Sequence, residues 1–180
     1  LREILQRVFD APIDDATYKI CREKILNRFK QAEIEDVRSF SGTEELFRYL
    51  KENGIKIGIA TGRTSSSEDE WLRFKRFGLD GYVSAIVTSQ EVENRKPAPD
   101  VIIECAKRMD IPLKSCIVVG DTESDIVAAK SVGAIAVGVT TGHEVKDALL
   151  RAGPAIVLEN VNDLLTFLKK WGNSGEGSSG

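Results

Sequence analysis

The 180-residue chain has little of what builds disulfide frameworks, zinc clusters or imidazole chemistry. Its three cysteines, Cys21, Cys105 and Cys116, show no Cys-x-x-Cys spacing, which argues against a disulfide scaffold or a multi-cysteine metal site and leaves them as small core residues. The one histidine, His143, excludes sites made of several imidazoles and makes any Ser-His-Asp triad depend on it alone. No stretch approaches 18 apolar residues, and the N-terminus is charged and helix-like rather than basic and then apolar. A cytoplasmic protein with no membrane partner is therefore expected. The 25 Lys+Arg against 28 Asp+Glu include no basic cluster, so the electrostatic footprint of a nucleic-acid binder is missing. No Gly-x-Gly-x-x-Gly occurs, which removes a dinucleotide-binding reading. The chain starts at Leu1 and its single methionine is Met109, so a segment upstream of Leu1 is expected.

What is present is periodicity. From Arg2 to Arg38 apolar residues recur at spacings of three and four, with breaks at Ala11-Pro12 and around Ile34, which predicts helices and no strand. From Thr43 the pattern changes. An amphipathic helix to Glu52 is stopped by Asn53-Gly54 and followed at once by the apolar run Ile55 to Thr61. Further short apolar runs at Val83 to Thr88, Cys116 to Gly120, Ala134 to Val139 and Ala155 to Leu158 alternate with helices near Ser67 to Phe77, Pro99 to Met109, Glu123 to Val132, Val145 to Ala152 and Val161 to Trp171. The helix at Ser67 is given Ser67 and Glu70 as its capping pair. Strands buried on both faces and separated by helices predict an α/β fold, a Rossmann-like, doubly wound parallel sheet with helices on both faces. The tail Gly172 to Gly180 has no apolar residue and reads as a flexible linker.

In such sheets ligands bind beyond the carboxyl ends of the strands. Thr61-Gly62-Arg63 places a hydroxyl and loop amides at one strand end, where they suit phosphate or carboxylate oxygens, although the Thr64 to Ser67 run also suits plain helix capping. In Arg95-Lys96-Pro97-Ala98-Pro99-Asp100 the proline fixes where the Lys96 side chain leaves the chain, and Pro99-Asp100 opens a helix. A solvated lysine beside a helix start is the plainer account. Gly120-Asp121-Thr122-Glu123-Ser124-Asp125 puts two carboxylates four residues apart across a strand-to-helix turn, a hard-oxygen setting suited to Mg2+. Capping accounts for Asp125 but not for Asp121. His143, in Thr141-Gly142-His143-Glu144, opens a helix after a strand and is read as an exposed residue with no role.

Taken in this order, Thr61-Gly62-Arg63, Lys96-Pro97-Ala98-Pro99-Asp100 and Gly120-Asp121-Thr122-x-x-Asp125 resemble the second, third and fourth motifs of the haloacid dehalogenase superfamily of phosphohydrolases. Ser41-Gly42-Thr43-Glu44-Glu45-Leu46, Leu50 to Gly54 and Ala128 to Ala134 are similar to its phosphoglycolate-phosphatase-like subfamily. The resemblance implies a Mg2+-dependent phosphatase of small phosphorylated metabolites. Thr61 and the Gly62 amide would hold the phosphoryl group, Lys96 would neutralise charge, and Asp121, with Asp125, would hold the metal. Residues 1–40 would be the C-terminal part of a helical cap, residues 41–171 the core domain, and residues 172–180 the tail.

The family's first motif, a strand ending in Asp-x-Asp that carries the nucleophile, has no counterpart. Asp10, Asp14 and Asp15 have the wrong spacing, and Asp14-Asp15 reads as a helix start. The missing strand would lie centrally, between the Thr61 and Asp121 strands, supplied by an upstream segment or in trans. The chain alone is expected to be catalytically incompetent. Two rivals are a receiver-type signalling domain, in which the acids precede the Thr and Lys along the chain, and a non-catalytic binding or scaffold module that keeps the fold.

Overall fold

The computed structural model describes residues 1–9, 12–35, 37–142 and 146–174. It divides into two compact units, Leu1–Ser39 and Phe40–Gly180. In the first, α1 (Arg2–Phe9) and α2 (Asp15–Glu35) follow the predicted periodicity. Asp14 starts α2 by accepting a hydrogen bond from the Thr17 amide at 2.7 Å. Of the apolar positions in α1, Leu5 is buried while Ile4 and Val8 are exposed.

The second unit runs α3 (Thr43–Glu52), β1 (Ile57–Thr61), α4 (Ser67–Arg76), β2 (Val83–Thr88), α5 (Asp100–Arg108), β3 (Ile117–Gly120), α6 (Glu123–Ser131), β4 (Ile135–Val139), α7 (Lys146–Ala152), β5 (Ile156–Leu158) and α8 (Asp163–Ser174). The α3-to-β1 stop works as the sequence suggests. Gly54 takes φ 71°, open to glycine without strain, and its amide donates to the Lys51 carbonyl while the Ile55 amide donates to that of Leu50.

All strand pairs are parallel. The parallel sheet is in two pieces among the described residues, β1–β2 and β3–β4–β5, as expected for a sheet that lacks a central strand. Parallel strands joined through helices, with apolar side chains on both faces, explain the layering. In β1, Ile57 and Ile59 turn toward Leu46, Phe47, Trp71 and Leu165 of α3, α4 and α8. Ala60, with Ala85 and Val87 of β2, turns the other way toward Val101, Cys105 and Ile126 of α5 and α6. Gly58 belongs to this second face. A Cβ there would sit 2.6 Å from Cys105 Sγ, so α5 packs directly on bare backbone. The core on this face continues through Val118 and Ala136 to Leu149, spanning both sheets.

Three details differ from the sequence reading. Ser66, not Ser67, caps α4 and accepts from the Asp69 amide, because Glu70 is drawn into an ion-pair cluster instead. The last helix continues through Ser174, three residues beyond the predicted core boundary. Of the cysteines, Cys105 is buried but Cys21 and Cys116 are only half-buried; all three are free thiols.

Candidate active site

The carboxyl ends of the strands carry the residues that matter. Thr61 closes β1 in register with the fully buried Thr88 of β2. Its hydroxyl accepts from the Arg63 amide at 3.2 Å, so the chain turns tightly over it. The Arg63 carbonyl accepts from the Ser89 amide at 3.2 Å and from the Ser89 hydroxyl at 2.8 Å, and the Gln90 side-chain amide donates to the Thr64 carbonyl. The loops after β1 and β2 are thus laced together. A Cβ on Gly62 would meet nothing within 4 Å, so crowding does not demand glycine there.

Arg63 then leans on α4. Its Nε lies 3.3 Å from Glu70, whose other oxygen pairs with Arg73 at 3.0 Å, and Glu70 is 2% exposed. Burial, followed by repulsion from Arg73, lowers the Arg63 pKa against the support of Glu70. Two guanidinium groups thus share one buried carboxylate.

Lys96 sits beyond β2, at a cis Lys96–Pro97 peptide. Its ammonium donates to the Ala60 carbonyl of β1 at 2.8 Å and pairs with Asp125 Oδ1 of α6 at 2.7 Å. One side chain therefore spans the break between the two sheets, and both partners are mostly buried, 15% and 10% exposed at the side chain. The second oxygen of Asp125 accepts from the Thr122 amide at 3.1 Å and the Thr122 hydroxyl at 2.7 Å, while the Asp125 amide donates back to Thr122. This reciprocal capping box starts α6. The capping and the functional accounts of Asp125 are both true of the same carboxylate. Gly120 makes the room, since a Cβ there would lie 2.2 Å from Asp125 Cβ.

Asp121, one residue past β3, is half-buried and makes no hydrogen bond or ion pair among the described residues. Sequence reasoning placed both acids on a metal. In the structure Asp125 pairs with Lys96, and Asp121 has no hydrogen-bond or ion-pair partner among the described residues. Two features were missed: the Glu70 cluster, whose i,i+3 pair with Arg73 was legible although Glu70 was read as a capping residue, and the approach of Gly142 to Asp121, which leaves no mark in local sequence. His143 and Asp10 lie outside the described residues.

The donor chemistry fits a small hard cation. Mg2+ is commonly held by one or two carboxylates, with water and phosphate oxygens completing the shell. No group of three or more His, Cys, Asp or Glu able to hold a metal occurs among the described residues. Asp121 and, four positions on, Asp125 are the side chains that would hold Mg2+.

Thr61, Lys96 and Asp121 each follow the carboxyl end of a strand in an α/β domain, the end at which such sheets bind ligands. The chain belongs to the haloacid dehalogenase-like hydrolase family, which matches residues 1–139. This sets aside the receiver-type rival. Phosphoglycolate phosphatase of Escherichia coli (strain K12) is 27% identical over 162 residues, 87% of this chain. The chain spans 64% of the length of that relative. A hydrolase from Pseudomonas syringae aligns with a TM-score of 0.72 at 28% identity, covering 93% of this chain and 75% of that one. The beta-phosphoglucomutase of Clostridium difficile, at 22% identity and a TM-score of 0.67 over 96% and 77% of the two chains, is alike in fold. Among the described residues no helix is long and apolar enough to cross a membrane.

Proposed function

We propose that the full-length protein is a Mg2+-dependent cytoplasmic phosphohydrolase of small phosphomonoesters, with phosphoglycolate-like compounds as the substrate class. The observation that carries this reading is Lys96 joining the β1 end to Asp125 at the start of α6. Hydrolysis of a phosphomonoester needs positioning and charge neutralisation more than covalent assistance from many groups. The Thr61 hydroxyl and the amides of its turn donate to phosphoryl oxygens. The Lys96 ammonium, kept in place by Asp125 and the Ala60 carbonyl, offsets charge that develops as the ester bond breaks. Mg2+, held by Asp121 with Asp125 beside it, neutralises the phosphoryl group when bound.

The nucleophile is an aspartate from outside these 180 residues, which contain no Asp-x-Asp. Its carboxylate oxygen attacks phosphorus, and the second aspartate of that Asp-x-Asp gives its proton to the departing alcohol and then takes one from the water that releases phosphate from the aspartyl-phosphate. The strand bearing it fills the break between β1 and β3. The cap role of residues 1–40 belongs to the same reading.

The test compares the full-length gene product with residues 1–180 on p-nitrophenyl phosphate and 2-phosphoglycolate, with and without Mg2+. The full-length protein turns over with Mg2+, Asp121→Asn abolishes it, and residues 1–180 give none. Turnover by residues 1–180 alone, or unchanged Mg2+ dependence in Asp121→Asn, overturns the proposal. A folded full-length protein that binds phosphate without turnover identifies a non-catalytic module instead.

A further inference from the structure

Glycines are explained by one of two needs, a backbone angle closed to other residues or a neighbour too close for a Cβ. Gly142 has the second need alone. Its φ is not in the left-handed region, unlike those of Gly42, Gly54, Gly78, Gly133 and Gly153. A Cβ at Gly142 would lie 2.2 Å from Asp121 Oδ2 and 2.8 Å from Asp121 Cβ and Cγ. Gly142 stands three residues after β4, whose register with β3 pairs Gly138 with Gly120 and so delivers the following loop beside Asp121.

We infer that Gly142 is a positioning residue for the Asp121 carboxylate, and that the backbone at Gly142 forms part of the wall of the divalent-cation site. The inference rests on the reading of Asp121 as a metal ligand. Asp121 has no hydrogen-bonding partner among the described residues to fix its rotamer. The bare Cα of Gly142 supplies a wall against which the carboxylate lies. An added methyl group occupies the space of Oδ2 and stands 2.8 Å from Asp121 Cβ and Cγ, so the whole side chain is displaced and the carboxylate with it. Cation affinity then falls although both carboxylates are intact. Groups that orient a metal ligand without touching the metal typically carry about 10- to 100-fold in affinity.

The experiment measures Mn2+ binding to the full-length protein by electron paramagnetic resonance, without substrate, alongside the melting temperature. Gly142→Ala is expected to weaken Mn2+ at least about tenfold with a modest fall in melting temperature, and to add no further loss of Mn2+ affinity in an Asp121→Ala background. Should Gly142→Ala fold poorly, the Asp121→Gly/Gly142→Ala protein recovers the melting temperature of Asp121→Gly, because every crowding atom of residue 121 is then gone. Failure to recover overturns the inference. Unchanged Mn2+ affinity in Gly142→Ala, with affinity lost in Asp121→Asn, also overturns it while sparing the metal assignment. Equal Mn2+ affinity in wild type and Asp121→Asn removes the metal assignment and this inference with it.

Discussion

Replacing Lys96 by methionine keeps an apolar stem of similar reach and deletes the ammonium. Asp125 Oδ1 then loses its 2.7 Å partner and the Ala60 carbonyl its 2.8 Å donor, in a place where the two charged side chains are 15% and 10% exposed. Breaking a buried ion pair by removing one partner costs about 3–5 kcal/mol. Because Thr122 still donates twice to Asp125 Oδ2, the lower end, about 3 kcal/mol, is expected. With a urea dependence of roughly 1–3 kcal/mol per molar, the midpoint of unfolding of the full-length protein falls by about 1–3 M. Asp125→Asn alone leaves the ammonium buried, and the double variant Lys96→Met/Asp125→Asn loses less than the sum of the singles. Turnover of Lys96→Met drops more than substrate affinity, since the charge matters most as the transition state develops. A midpoint within about 0.5 kcal/mol of wild type, or strictly additive singles, refutes the claim that this pair joins the sheets.

Burial pushes the Glu91 carboxyl up, but the Thr88 amide and the Arg108 guanidinium outweigh it and hold the pKa below its ordinary 4.5. A lowered carboxyl pKa contributes stability above the unfolded value and loses it as pH falls through the folded one, so Glu91→Gln flattens the acid limb of a circular-dichroism unfolding curve below about pH 4.5. An unchanged limb refutes the assignment. Burial pushes the Cys105 thiol up to about 11, so at pH 8 it resists a thiol reagent in the folded protein and reacts once urea unfolds it; prompt native labelling at Cys105, located by mass spectrometry, contradicts this. Gly58→Ala drives a Cβ to 2.6 Å from Cys105 Sγ and 2.7 Å from Met109 Cε, and an overpacking cost of about 1–3 kcal/mol is expected by urea titration. A neutral result there means α5 can back away from β1.

The elements were legible because this chain alternates two plain periods. The run Val83 to Thr88 and the helix Thr43 to Glu52 match the structure residue for residue, and most other boundaries shift by one or two. Short polar connections hid two single-turn 3-10 helices, Asp80–Tyr82 and Leu113–Ser115, whose hydrogen bonds close over three residues and leave no apolar rhythm. The strand-end rule placed Thr61, Lys96, Asp121 and Asp125 on one side of the domain, but partner choice was invisible. Lys96 takes Asp125 rather than Asp121 because the Thr122 cap has already fixed the α6 carboxylate. Gly142 lies 21 positions from Asp121, and only the β3–β4 register brings them together.

The split of the sheet changes how the domain holds together. Hydrogen-bonded ladders transmit cooperativity along a sheet, and here the ladder is interrupted between β1 and β3, while the apolar layer built on Val87, Val101 and Ile126 runs beneath both halves. Backbone amides of β2 and of β4 are therefore protected by separate opening reactions, coupled through side chains only. Amide hydrogen exchange in residues 1–180 reports two protection classes divided between the sheets, and a strand seated between them merges the two into one.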